Sequence, residues 1–115
     1  MDLEAATRAF VAAVAASDAT ALGALVAPEA VFEVAKVPGR FTSRKVVAFV
    51  ARRGRPVRLT VTDLAVKRNV VFAQLHLDGG AGADGTLVLS WNQDGQVVHG
   101  TMHAELLAWR AAWSA

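Results

Sequence analysis

The spacing of apolar residues changes once along this chain of 115 residues. As far as residue 53 they recur every three to four positions, the period of a helix with one buried side, and only the short run 30–35 reads as a strand. Between residues 57 and 103 they alternate with polar residues, which is the period of a half-buried strand. Helices followed by paired strands predict an α+β fold in which the helices cover one face of a curved antiparallel sheet.

Three helices are predicted in the first half of the chain. The first covers 3–16 and is rich in Ala, the strongest helix former. The second covers 18–26, begins with an Asp N-cap and is closed by Pro28, because the residue before a proline avoids helical geometry. The third covers about 43–53 and is ended by Gly54. The residues on its predicted buried side are Val46, Val47, Phe49 and Val50.

The second half predicts a meander of four strands and a short C-terminal helix. The strands cover 57–67, 70–78, 86–92 and 97–103. A glycine-rich loop is predicted at 79–85, and Asp94-Gly95 is typical of a tight hairpin turn because it accepts positive φ. The Ala- and Leu-rich tail, 104–113, is predicted to be helical.

The residue types that are missing exclude several kinds of chemistry. The chain has no Cys, which excludes disulfides, thiolate nucleophiles, iron–sulfur clusters and Cys-bound zinc. It has no Tyr either, so no phenol can act as an acid or as an oxyanion donor. No cofactor is expected.

Charge and hydropathy point away from membranes and nucleic acids. The net charge is only +2, and the first residues are acidic, unlike the basic start of a secretory signal. No apolar run approaches the roughly 18 residues of a membrane span. The one dense basic run, 52–58, has no aromatic residue near it that is predicted to be exposed, and it suits the C-terminal end of a helix. A cytoplasmic protein with no nucleic-acid or membrane partner is expected.

Three segments of the chain resemble a known superfamily. FVAAVAASD, from Phe10 to Asp18, and LGALVAPEAVFE, which begins at Leu22, resemble the opening of nuclear-transport-factor-2-like proteins, in their SnoaL-like and ketosteroid-isomerase branch. LSWNQDGQVV, from Leu89 to Val98, resembles their last hairpin. The resemblance implies one domain over 1–115, with a cone-shaped, strongly curved antiparallel sheet packed on three N-terminal helices. This cystatin-like fold would enclose an apolar cavity.

The positions that carry ketosteroid-isomerase chemistry are apolar in this chain. The resemblance places Phe10 where those isomerases have a tyrosine oxyanion donor, Val34 where they have an aspartate base, and Leu87 where they have a protonated aspartate. Steroid isomerisation is therefore not expected. The His/Asp pairs of SnoaL-type polyketide cyclases and the Asp-Arg-Asp set of limonene-epoxide-hydrolase-like members have no match either.

We therefore predict a protein that binds a small, mainly apolar molecule in its cone and forms a homodimer through the outer face of its sheet. The residues predicted to line the binding cavity are Phe10, Val14, Phe32, Val34, Phe49, Leu75, Leu87, Leu89, Trp91 and Met102. The indole N–H of Trp91 would need a hydrogen-bond partner, either a backbone carbonyl or the ligand.

Glu33 is the best single candidate for a catalytic base, since it lies on the first strand near the expected mouth of the cavity. Alternation along a strand points it away from Phe32 and Val34. An ion pair with Arg40 or Lys36 is the alternative role for this carboxylate.

The three histidines are predicted to lie outside the cavity. His76 shares one face of its strand with Gln74 and Asp78, opposite the apolar side. On a strand with a rise of roughly 3.3 Å per residue, His99 and His103 are about 13 Å apart. Because that distance is too large for two ligands of one metal ion, no metal site is predicted.

Two other functions remain open at this point. One is a SnoaL-like isomerase, cyclase or hydrolase whose acid/base group has moved to Glu33 or to a histidine. The other is a regulatory or protein-interaction module, for which Trp109 and Trp113, spaced i and i+4 after Leu106, would provide an exposed stripe. That segment could be a lid over the cavity, a helix or an interface.

Overall fold

The computed structural model describes residues 2–114 of the chain. Its helices are α1 (Leu3–Ala15), α2 (Ala19–Leu25), α3 (Ser43–Arg53) and α4 (Leu106–Ser114). Its strands are β1 (Val26–Val34), β2 (Phe41–Thr42), β3 (Arg58–Lys67), β4 (Val70–Asp78), β5 (Ala83–Trp91) and β6 (Val97–Ala104). Within the described residues, no helix combines the length and the apolar character needed to cross a membrane.

The first three helices begin at side chains that satisfy free backbone N–H groups. Asp2, Asp18 and Thr42 each accept a hydrogen bond from the backbone N–H three residues further on. At the other end of α3, Gly54 adopts left-handed geometry with φ +66°. Because these signals are local, the predicted helix ends agree with the structure to within one or two residues.

The six strands form one curved sheet in the order β2-β1-β6-β5-β4-β3. Neighbouring strands are antiparallel except β1 and β6, which are parallel. The predicted antiparallel pairing therefore holds for four of the five strand pairs, and the pair of β1 and β6 is the exception. Alternation predicts which face a strand buries, whereas it carries no information on the direction of a neighbour that is distant in sequence.

The first strand is longer than predicted. It begins at Val26 rather than near residue 30, and α2 ends at Leu25, so Pro28 lies in the strand and does not close the helix. The pairing of β1 with β6 shifts register between Val26 and Val31. This irregularity accommodates Pro28, which has no N–H to donate to a regular ladder.

Two further boundaries differ from the predictions. The two-residue strand β2 was not predicted, because two residues carry no periodicity. β5 begins at Ala83, three residues earlier than expected, and takes in Gly85 from the predicted loop. The side chains of Met102 and Trp109 occupy the space beside Gly85, so this glycine serves packing within the strand.

The concave face of the sheet carries the core. Along β4, Val71, Ala73, Leu75 and Leu77 are all buried, as their alternation predicts. α1 packs on β3 and β4, α3 packs on β1, and α4 packs on β4 and β5. Helices therefore cover one face of the sheet, and the predicted α+β cone is confirmed.

Candidate functional site

An apolar cavity of about 230 Å³ lies between the helices and the concave face of the sheet. Apart from Glu33 and Gly100, every residue that lines it has an aliphatic, aromatic or thioether side chain. The lining residues are Phe10, Val11, Val14, Phe32, Glu33, Val34, Phe41, Val46, Phe49, Val50, Leu59, Leu75, Leu87, Gly100, Met102, Trp109 and Trp113. A cavity with this lining favours apolar molecules, since a polar group placed in it would lose its hydration and find few hydrogen-bond partners.

Most of the residues predicted to form the cavity lie around it. Eight of the ten line it: Phe10, Val14, Phe32, Val34, Phe49, Leu75, Leu87 and Met102. Leu89 and Trp91 do not, because they lie further along β5 and are buried in the core together with Leu22 and Val97. That the ten predicted residues bind a ligand stays a prediction.

Within residues 2–114, the Trp91 indole lacks the backbone carbonyl that was one of its two predicted partners. Its Nε1 atom is buried, and no hydrogen-bond acceptor lies within reach among residues 2–114. The ring therefore contributes apolar packing to the core, and its N–H does not face the cavity lining.

The three positions matched to ketosteroid-isomerase chemistry meet at this cavity. Phe10 comes from α1, Val34 from β1 and Leu87 from β5, and all three line the same space. None of them can donate, accept or transfer a proton. The place where that chemistry would need polar groups is therefore occupied by hydrocarbon.

Within residues 2–114, Glu33 is the one residue of the cavity lining with a carboxylate, and this carboxylate contacts other side chains. Its Oε1 atom lies 3.3 Å from Arg40 Nε and 3.5 Å from His99 Nε2. Because Phe32 and Val34 line the cavity on either side of it, strand alternation directs the carboxylate toward the outer face. The predicted ion pair with Arg40 is present, whereas no contact with Lys36 is made within hydrogen-bonding distance.

The C-terminal segment is a helix that forms one wall of the cavity. Trp109 and Trp113 both line the cavity and are partly buried, so the expected exposed stripe is not formed. The Trp113 ring packs against Phe49, with ring centroids 6.0 Å apart. Phe49 itself is 50% exposed and not buried as predicted, because it lies at the edge between the apolar and charged sides of α3.

Two arginines at the end of α3 form hydrogen bonds with the last residues of α4. Arg53 Nη2 donates a hydrogen bond of 2.6 Å to the Trp113 carbonyl oxygen, and its guanidinium lies 4.4 Å from the centroid of the Trp113 ring. Arg55 Nη2 donates a longer bond of 3.4 Å to the carbonyl of Ser114. Partial burial, with a smaller effect of the nearby Arg55 charge, lowers the pKa of Arg53 from its usual value. Both cations lie where the helix dipole of α4 favours positive charge.

The histidines lie on the outer face of the sheet, as predicted. His76 contacts Asp84 through Nδ1 at 2.8 Å and Asp78 through Nε2 at 3.1 Å. The hydrogen bond to Asp84, more than the weaker influence of Asp78, raises the pKa of His76 above its usual value. His99 and His103 also lie outside the cavity lining, and no group of three or more potential metal ligands comes together in residues 2–114.

A basic groove, which was not predicted from the sequence, adjoins the cavity. The groove has a volume of about 820 Å³ and shares Val34, Phe41, Val46 and Phe49 with the cavity. Its charged residues are Arg44, Lys45 and Arg52, all on α3. The signal that could have revealed it is the stretch 34–62, which contains eight Lys or Arg residues and no Asp or Glu.

Comparisons with known proteins agree with this architecture. A family model of the SnoaL-like domain matches residues 7–106. Comparison with curated proteins finds no match.

Several solved structures have a similar fold. An LEH-like epoxide hydrolase from M. tuberculosis superposes with a TM-score of 0.78 at 16% identity, over 96% of this chain and 87% of that one. A hypothetical protein with a ketosteroid isomerase-like fold from Catenulispora acidiphila DSM 44928, in complex with trimethylamine, gives 0.77 at 16% identity, over 90% and 87%. An NTF2-like protein of unknown function from Cytophaga hutchinsonii ATCC 33406 gives 0.80 at 10% identity, over 96% of each chain. At these identities the similarity shows the fold alone.

Proposed function

Because this chain belongs to the family of SnoaL-like domains, we propose that it binds a small, mainly apolar molecule in its cone-shaped cavity, without the residues used in ketosteroid-isomerase chemistry. Removal of the ligand's apolar surface from water would supply most of the binding free energy, at roughly 25 cal/mol per Å². The flat rings of Phe10, Phe32 and Trp109 offer contact area at little cost in side-chain entropy.

The observation that carries this proposal is the convergence of Phe10, Val34 and Leu87 on one cavity. A site that performed acid/base chemistry on a bound molecule would need at least one proton-transfer group within hydrogen-bonding distance of that molecule. These three side chains offer contact surface only. Binding without turnover is therefore the function that the lining favours.

The alternative is an isomerase, cyclase or hydrolase with a relocated acid/base group. In the described part of the chain, Glu33 is the one lining residue with a carboxylate, and that group contacts Arg40 and His99. For Glu33 to act on a bound molecule, it would have to leave both partners and turn to the other face of β1. This requirement favours binding over catalysis.

We include in the proposal a homodimer formed through the outer face of the sheet. Phe72 is 43% exposed on that face, and the residues paired with it across the sheet are Ala65 and Val88. An exposed aromatic ring with apolar neighbours on a sheet face favours a contact with another protein surface. Trp109 and Trp113, by contrast, line the cavity, which argues against the protein-interaction role considered for them.

The cavity can be tested with N-phenyl-1-naphthylamine, a neutral dye whose fluorescence increases when it leaves water. We expect the wild-type protein to bind it saturably at one site per chain. Leu87→Trp should weaken binding by about tenfold or more, which corresponds to roughly 1.4 kcal/mol, because the larger side chain fills the cavity.

A second cavity variant and a surface control complete this test. Val14→Phe fills the cavity from α1 and should have the same effect if Leu87→Trp does not fold. Leu107→Trp adds the same ring at a residue that is 76% exposed and should leave binding unchanged. Dye affinities that are equal in the wild type and in both cavity variants would contradict the proposal.

A further inference from the structure

We infer that the molecule bound in the cavity is an anionic amphiphile, whose apolar body lies in the cavity and whose acid group lies in the groove beside Arg44, Lys45 and Arg52. This inference rests on the proposed function and adds the chemical class of the ligand. The acid group could be a carboxylate, a sulfonate or a similar anion.

The size of the cavity indicates that the ligand extends beyond it. Its volume of about 230 Å³ lies below the roughly 300–1,000 Å³ of most small-molecule sites. The adjoining groove, of about 820 Å³, is large enough for the rest of such a molecule. The two spaces share four apolar residues, so one ligand can contact both without crossing a polar barrier.

Phe49 connects the two spaces. It lines both the cavity and the groove, and half of its surface is exposed. A ligand that passes from the cavity into the groove would cover this ring, and the loss of water-exposed apolar surface would favour binding. The apolar contact therefore continues as far as the cations on α3.

The charged side chains that line the groove are all cationic within residues 2–114. Arg44, Lys45 and Arg52 are exposed on α3, a helix that contains no Asp or Glu. Within residues 2–114 none of the three forms an ion pair. The carboxylate of Glu33 in the cavity lining contacts Arg40 and His99. Three cations at the exit of an apolar cavity complement an anion at the end of an apolar molecule.

Placing the acid group in the groove avoids much of the free-energy cost of moving a charge out of water. An acid group inside the cavity would lose its hydration, and no cationic side chain lines the cavity within residues 2–114 to replace it. In the open groove it keeps part of its hydration and gains charge-assisted hydrogen bonds from arginine and lysine. An anionic amphiphile is therefore expected to bind in one orientation, with the acid group outward.

Two dyes with the same ring system separate the contribution of the acid from that of the body. N-phenyl-1-naphthylamine is neutral, and 1-anilinonaphthalene-8-sulfonate carries a sulfonate on the same body. The variant Arg44→Gln/Lys45→Gln/Arg52→Gln should weaken sulfonate binding by about tenfold more than it weakens neutral-dye binding. The affinity of the wild type for the sulfonate should also fall as ionic strength rises, because the groove is open to solvent.

A charge-matched control distinguishes the groove from the net charge of the protein. Arg8→Gln/Lys67→Gln/Arg68→Asn removes three charges elsewhere, and Asn accepts the positive φ of 57° at residue 68. We expect this control to bind both dyes like the wild type. Equal losses of sulfonate affinity in the two triple variants would overturn the inference while leaving the proposed function in place. If the wild type binds neither dye, both this inference and the proposed function are overturned.

Discussion

Three side chains on the outer face of the sheet, His76, Asp78 and Asp84, form a compact charged cluster. Both ring nitrogens of His76 face a carboxylate oxygen, at 2.8 Å and 3.1 Å. Both nitrogens can donate only in the protonated imidazolium, so the arrangement favours that form. The pKa of His76 is accordingly raised, chiefly by the hydrogen bond to Asp84.

The raised pKa can be measured by NMR titration of the His76 ring. We expect the wild type to titrate above 6.5, and Asp84→Asn to lower the pKa toward that value. Asp94→Asn, in the β5–β6 turn, should leave it unchanged. Since folding raises this pKa, its contribution to stability should be complete below pH 6.5 and lost as the pH rises through the folded-state pKa. A His76 pKa that is equal in the wild type and in Asp84→Asn would contradict this account.

Contacts with several other elements hold α4 in place. Its Trp109 and Trp113 close one side of the cavity, and its last carbonyls accept hydrogen bonds from Arg53 and Arg55. The loop before β5 also contacts it, because Gly79 lies against the backbone of Ala112. The position of this helix therefore determines the shape of the cavity.

Arg53→Ala is expected to loosen α4 by removing the bond to the Trp113 carbonyl and the contact with the Trp113 ring. The free energy of unfolding in urea should fall by about 1 kcal/mol, which is below the roughly 1.5–3 kcal/mol of a hydrogen bond to a charged group because the guanidinium is only partly buried. Backbone amides of α4 should exchange faster with deuterium. Arg52→Ala, the exposed neighbour, should change neither quantity, and unaltered exchange in Arg53→Ala would show that the arginine does not hold the helix.

At the scale of the whole molecule, we expect two chains to associate as the proposed homodimer. A stable interface usually buries roughly 800 Å² on each partner, and the outer face of the sheet presents Phe72 with its apolar neighbours Ala65 and Val88. The concave face cannot serve this purpose, because helices cover it.

Sedimentation equilibrium can test this assembly. The wild type is expected to sediment as a dimer and Phe72→Glu as a monomer, since a carboxylate in the centre of the interface would lose its hydration. Leu107→Glu changes a more exposed apolar residue on α4 and should leave the dimer intact. Dissociation by Leu107→Glu but not by Phe72→Glu would place the interface elsewhere.

Local signals in the sequence determined most of the secondary structure. The caps at Asp18 and Thr42 and the left-handed Gly54 act within a few residues, so the helix ends could be predicted closely. Alternation along β4 identified its buried side for the same reason. The family resemblance likewise matched Phe10, Val34 and Leu87 to the positions of the ketosteroid-isomerase catalytic residues.

Contacts between residues distant in sequence decided the rest. The parallel pairing of β1 with β6, the engagement of Glu33 with His99 and the burial of Trp113 against Phe49 each join parts of the chain that share no local pattern. The exclusion of Leu89 and Trp91 from the cavity depends on how far the core extends along β5. The periodicity of apolar residues along an element indicates which side of it a residue faces. Only the assembled layers determine whether that side meets packed atoms, a cavity or a groove lined by cations.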